Sequence, residues 1–188
     1  MIFNVRLTSE SLVTTSEPVS SPQSALADEA YFRLSCAELG VGRPEELPDF
    51  GVALLEAGLS SSALVALASA ARDDHPQDLR DLARRAFVSL GWPVPPAGGE
   101  LLGMARGYCR RILDSLVDPL SGLRSMYRVW QLSDFDPLYR QWMYLDDSID
   151  LIRDGYRGLD PFDDLTEQTI PETIRQLATT FLSQTQPG

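Results

Sequence analysis

The chain has 188 residues, 44% hydrophobic and 23% charged, enough for one well-cored domain and an ordinary composition for a soluble globular protein. Its formal charge of −11 argues against a nucleic-acid binder that neutralises phosphates with a basic face, and against a protein that docks on anionic lipid. All sixteen basic residues are arginine, so there is no lysine for a Schiff base, an amine nucleophile or a phosphate-binding Gly-Lys-Ser/Thr loop.

In chain order, Phe3, Val5 and Leu7 alternate with polar neighbours in a brief strand-like pattern. From Ser9 the composition turns to Ser, Thr and Pro, and residues 1–24 read as a tail or linker. The helical domain is expected over 25–188. Leu26, Ala30, Leu34 and Ala37 form a first stripe, ended by Gly40. A short helix over Pro48–Ala57 uses Phe50 and Leu54 and stops at Gly58. Ser60–Ser62 offer N-caps for a small-residue helix over Ala63–Arg72. Asp73-Asp74-His75-Pro76 turns the chain, and Pro76 starts a helix carrying Leu79, Leu82, Ala83, Ala86, Phe87 and Leu90 up to Gly91.

Residues 92–99, Trp-Pro-Val-Pro-Pro-Ala-Gly-Gly, break regular structure between two helical lobes. Beyond them, Leu101, Ala105, Tyr108 and Ile112 share one face, widened by Leu102, Cys109, Leu113 and Leu116, as suits a central helix. Arg106, Arg110 and Asp114 follow at spacings of four, which suggests pairs within the helix rather than an anion clamp made with Arg111. Asp118-Pro119 opens a helix with the stripe Leu120, Leu123, Tyr127 and Trp130. Asp136-Pro137 opens the next, with Leu138, Trp142, Leu145, Ile149 and Ile152, closed by Gly155. A loop with Asp160, Asp163 and Asp164 leads to a last helix using Ile174, Leu177, Ala178 and Phe181. The expected fold is all-α: an irregular bundle of seven or eight helices.

Cys36 and Cys109 are far apart, belong to no Cys-x-x-Cys pair, and read as buried reduced thiols. The first residues lack a signal-peptide core and no window approaches a membrane-spanning run, so a cytoplasmic location is expected. His75 is the only histidine and reads as a turn residue; no zinc site and no cofactor is implied.

The one string with a chemical pattern is Asp146-Asp147-Ser148-Ile149-Asp150, with Asp154 one turn later. Asp146 and Asp150 share a helical face and could offer oxygens to Mg²⁺. These five residues resemble the Asp-Asp-x-x-Asp motif of the isoprenoid synthases, but that family's second metal motif is missing and the chain is short for its helical barrel. A Mg²⁺-dependent phosphohydrolase of the all-α nucleotide pyrophosphohydrolase type is the better metal reading. It needs a second carboxylate cluster, and only loop residues such as Asp160, Asp163 and Asp164, or Asp134 and Asp136, are on offer.

Residues 134–164 hold nine acids and three arginines, a local charge of −6. A patch of that sign suits a basic protein partner. Tyr139 and Tyr144 fall off the apolar stripe and are expected exposed, where tyrosine favours interfaces. The partner-binding set expected from sequence is therefore Asp146, Asp147, Asp150, Asp154, Tyr139 and Tyr144, with no catalytic residue. An acidic interaction protein of the immunity or antitoxin kind ranks above the phosphohydrolase and above a structural subunit of a homo-oligomer.

Cys109-Arg110-Arg111-Ile112-Leu113-Asp114, then Val117-Asp118-Pro119-Leu120-Ser121-Gly122 and Trp130, resembles a family of uncharacterised bacterial helical proteins. The preceding Leu79–Gly91 helix and the Pro-rich break are similar too. Leu120 stands where that pattern has an aromatic residue, and the C-terminal segment is longer. The resemblance implies an all-α bacterial protein and no catalytic residues.

Overall fold

Capping residues punctuate the chain much as their chemistry demands. In the computed structural model, which describes residues 22–185, eight α-helices follow one another. They are α1 Pro22–Glu38, α2 Leu47–Glu56, α3 Ser62–Ala68, α4 Pro76–Ser89, α5 Glu100–Leu113, α6 Pro119–Leu132, α7 Arg140–Arg153 and α8 Ile170–Gln184. Short 3-10 turns occupy Pro44–Glu46 and Pro137–Tyr139. Among the described residues there is no strand, and the fold is all-α. The strand-like pattern at Phe3–Leu7 and most of the 1–24 tail lie outside the described residues; 22–24 belong to α1.

Ser61 Oγ accepts the Leu64 N–H at 3.0 Å, and a carboxylate oxygen of Asp118 accepts the Ser121 N–H at 3.1 Å. His75 Nδ1 accepts the Gln77 N–H at 3.2 Å, so the lone histidine is an N-cap. Gly40 and Gly91 follow their helices with φ of +67° and +74°, the left-handed geometry that ends a helix without Cβ strain. The small-residue helix is shorter than the expected Ala63–Arg72. It stops at Ala68, and the Asp74 carboxylate takes the Ala71 N–H in the following turn.

Helix α1 is the hinge of the architecture. Ala30, Leu34 and Ala37 pack into a core with Leu47, Phe50, Leu54, Leu64, Leu67, Leu79 and Phe87 from α2, α3 and α4. Phe32 and Cys36 of the same helix enter a second core with Met104, Cys109, Ile112, Met126, Trp142, Leu145, Ile174 and Phe181 from α5–α8. Buried on two sides, α1 has no single apolar stripe, whereas α5 and α6 keep a pronounced one.

Glycines let α5 approach α1 closely. A Cβ at Gly107 would overlap the Phe32 ring, and one at Gly103 would overlap Ser35 Oγ. Polar ties add to this contact: Arg110 pairs with Asp28, and Arg111 Nη2 donates to both Glu29 oxygens at 2.6 and 2.8 Å. The pairs expected within α5 are therefore replaced by pairs from α5 to α1. Arg106 reaches the end of α8, donating to the Thr185 carbonyl at 2.5 Å and its hydroxyl at 2.9 Å. A cation there satisfies carbonyls that the helix end leaves open.

The Pro/Gly break folds back along the first core. Trp92 and Val94 pack against it, and Arg84 Nη1 donates to the Pro95 carbonyl at 3.0 Å. Arg84 also holds Glu38 at the end of α1, and Arg80 donates to the Ala37 carbonyl at 3.1 Å. After α7, the fully buried Ser148 hydroxyl accepts the Leu159 N–H at 2.9 Å, pinning the acidic loop to its helix. Among the described residues, no helix is long and apolar enough to cross a membrane.

Candidate functional site

Two regions carry concentrated chemistry: the α6–α7 corner with its acidic flank, and an arginine-lined cleft beside α1. At the corner, α6 ends at Leu132 and the chain turns through Ser133–Asp136. Ser133 Oγ accepts the Asp136 N–H at 3.0 Å, and Asp136 Oδ1 then accepts the Leu138 N–H at 2.8 Å. The expected helix start at Asp136-Pro137 is a 3-10 turn over Pro137–Tyr139, and α7 proper begins at Arg140. That tighter turn, with three rather than 3.6 residues per revolution, rotates the first residues away from the stripe that α7 later follows. Leu138 is consequently exposed, and Tyr139 is buried at 4% exposure, its ring 5.8 Å from that of Phe181. Tyr139 is therefore removed from the partner-binding set. Burial pushes its phenol up to about 12, which keeps it neutral.

The same turn displays apolar side chains that the helical pattern did not mark. Leu132, Phe135 and Leu138 are exposed, Phe135 to 56%. Asp134 and Phe135 have φ of +54° and +65°, left-handed conformations that bulky residues rarely adopt. For Phe135 this costs on the order of 1 kcal/mol. The ring rests edge-on against Trp130 at 4.8 Å, and Trp130 lies 5.4 Å from Tyr127. The three rings form a half-exposed aromatic row flanked by Asp134 and Asp136, and the indole Nε1 of Trp130 is buried without a hydrogen-bond partner.

The acidic flank starts about two turns further along α7. Asp147, Asp150 and Asp154 are exposed, and Asp150 has only a loose contact to Arg153 at 3.8 Å. Asp146 is half-buried. Burial first, then Asp150 and Asp147, raise its carboxyl above the usual range; Arg124 and Arg153 oppose the shift. Tyr144, half-buried, lies roughly 160° around α7 from Asp146 and about 120° from Asp150, but only about 60° from Asp147, so of the α7 aspartates it neighbours Asp147 alone. Among the described residues, no three His, Cys, Asp or Glu side chains converge as a metal site.

The cleft lies where α1 ends and the Val41–Leu47 segment folds back toward α5. It has a volume of about 310 Å³. Phe32, Val41, Leu47 and Tyr108 give apolar walls, and Arg33, Arg43, Arg111 and Glu46 line it with charge. The Arg111 guanidinium stacks over Phe32 at 4.4 Å and that of Arg33 over Phe50 at 4.9 Å. Cys36 also lines the cleft, but burial pushes its thiol up to about 12, so it stays protonated and is no nucleophile. Cys109 is likewise a buried free thiol.

No family model, no curated protein and no solved structure matches this chain. Arg110 and Arg111 tie α5 to α1, Asp118 caps α6, and a Cβ on Gly122 would overlap Ile112.

Proposed function

We propose that this chain is an acidic, cytoplasmic protein-interaction domain that binds a basic protein, as an immunity or antitoxin protein does. The observation that carries the reading is Phe135, held exposed in a left-handed conformation against Trp130 and bracketed by Asp134 and Asp136. A strained, solvent-facing aromatic is unfavourable for a domain that only folds, and such outliers concentrate where a surface is used. Aromatic side chains at the centre of an interface supply most of its energy, and surrounding charges guide the approach. Leu132, Phe135 and Leu138 are the anchors in this reading. Asp147, Asp150 and Asp154 draw an arginine- or lysine-rich partner toward them through their field.

The test is a complex rebuilt from purified components, its partner first recovered on immobilised protein. Phe135→Asn tolerates the same backbone and removes the ring, and should weaken binding about tenfold or more. Asp147→Arg with Asp150→Arg should slow association and flatten its salt dependence. A partner bound equally well by all three proteins would dismiss the corner as the docking surface.

A further inference from the structure

We propose that the cleft beside α1 is a binding site for a small organic anion, an oxyanion head carried on an apolar body. It is independent of the docking corner and made of different residues.

The first argument is charge. Arg33, Arg43 and Arg111 line the cleft, and the carboxylates in reach are Glu46 on its wall and Glu29 behind it. Three cations and two anions leave one positive charge in excess, inside a chain whose net charge is −11. The second argument is how unequally the two glutamates are held. Glu29 accepts from Arg33 Nε at 2.7 Å and from Arg111 Nη2 at 2.6 and 2.8 Å, lengths typical of charge-assisted bonds. Glu46 lies 3.3 Å from Arg43 Nη1 and 3.7 Å from Arg33 Nη1, too far for bonds of that strength. Glu29 therefore fixes Arg33 and Arg111 from behind the cleft, and Glu46 rests loosely where a better acceptor would fit.

The third argument is shape. A volume of about 310 Å³ is at the small end of ligand cavities, and Phe32, Val41, Leu47 and Tyr108 give it an apolar side. Phe32, Val41 and Leu47 would face the body of the ligand while the guanidinia take its head. Gly42 keeps the lining segment tight on α1, because a Cβ there would sit 2.9 Å from Cys36 and Ala37 atoms. Arginine is suited to the task, since its planar fork matches both carboxylate and phosphate.

The test is calorimetric titration of the full chain with inorganic phosphate, phenyl phosphate, acetate and benzoate. Binding is expected for the aromatic anions above their inorganic or aliphatic counterparts, and the stronger of phenyl phosphate and benzoate identifies the head group. Arg43 is largely exposed, so Arg43→Gln should preserve the melting temperature and weaken binding several-fold. Glu46→Gln removes the internal competitor and should tighten binding several-fold, whereas Glu45→Gln next to it should change little. Arg72→Gln, outside the cleft, serves as the second control. The proposal is overturned if neither wild type nor Glu46→Gln gives heat with any of the four probes. It is equally overturned if Arg43→Gln and Glu46→Gln leave the affinities unchanged.

Discussion

The arginine cleft and the α6–α7 corner use charge in opposite ways. In the cleft, Arg111 and Arg33 share Glu29 through short bonds, and their guanidinia lie on Phe32 and Phe50. The network orders the cleft by fixing side chains that would otherwise be free. On the flank, Asp147, Asp150 and Asp154 have no short ion pair, and at the corner Leu132, Phe135 and Leu138 stand in water. Charge that is paired and stacked holds this fold together, and charge left unpaired is available to something outside it. The sign of a local cluster says little until its pairing is known.

That contrast can be broken by substitution. The largest effect is expected at Gly107, which lets α5 press on α1 beneath the arginine network. Gly107→Val would drive a side chain into Phe32 and cost about 3 kcal/mol, lowering the thermal midpoint by about 6–12 °C in a circular-dichroism melt. An unchanged midpoint would contradict the close contact. Next comes Glu29→Ala, which strips Arg33 and Arg111 of their shared carboxylate. Their side chains are about one-third exposed (33% and 30%), so solvent moderates the loss to about 1–2 kcal/mol in urea unfolding.

On the flank the signs reverse. Asp146 has a raised carboxyl, so its folded state binds the proton more tightly than the unfolded chain does. Its contribution favours the folded state below the unfolded value of 3.8 and is lost as pH rises through the folded one. Asp146→Asn should therefore raise the midpoint at pH 7, and the gain should vanish on acidification below that unfolded value. A gain that grows in acid would refute the sign. The smallest effect is Asp150→Ala, which should leave stability within about 0.5 kcal/mol because its one ion pair is long and exposed.

Much of the helical order was legible because local chemistry writes it. Asp118-Pro119, His75-Pro76 and Ser61 start helices, and Gly40, Gly91 and Gly155 follow their ends in left-handed geometry. What escaped were features set by tertiary contact. The two-sided burial of α1 looks like one ordinary stripe, because periodicity reports one face at a time. Gly103 and Gly107, four apart on α5, were the available signal for the α1–α5 approach, but a glycine has no side chain to count in a hydrophobic pattern. Arg110 and Arg111 paired with Asp28 and Glu29, some 80 residues away (|i−j| of 82 for Glu29 and Arg111), which spacing along one helix does not reveal. Tyr139 is buried against the helical pattern because a 3-10 turn shifts phase against the helix it precedes. Phe135 carried no periodic signal, and its importance rests on a backbone conformation visible only in three dimensions.

The central claim is that the strained corner is what a basic partner grips. Its most direct test is the dissociation constant of the reconstituted complex for wild type and Phe135→Asn, measured beside the thermal midpoint of each free protein. Asparagine tolerates the left-handed backbone, so relief of strain offsets the lost ring contact with Trp130, and the midpoint should stay within about 2 °C. The account predicts affinity reduced about tenfold or more with that stability retained. Full affinity in a folded Phe135→Asn protein would contradict it.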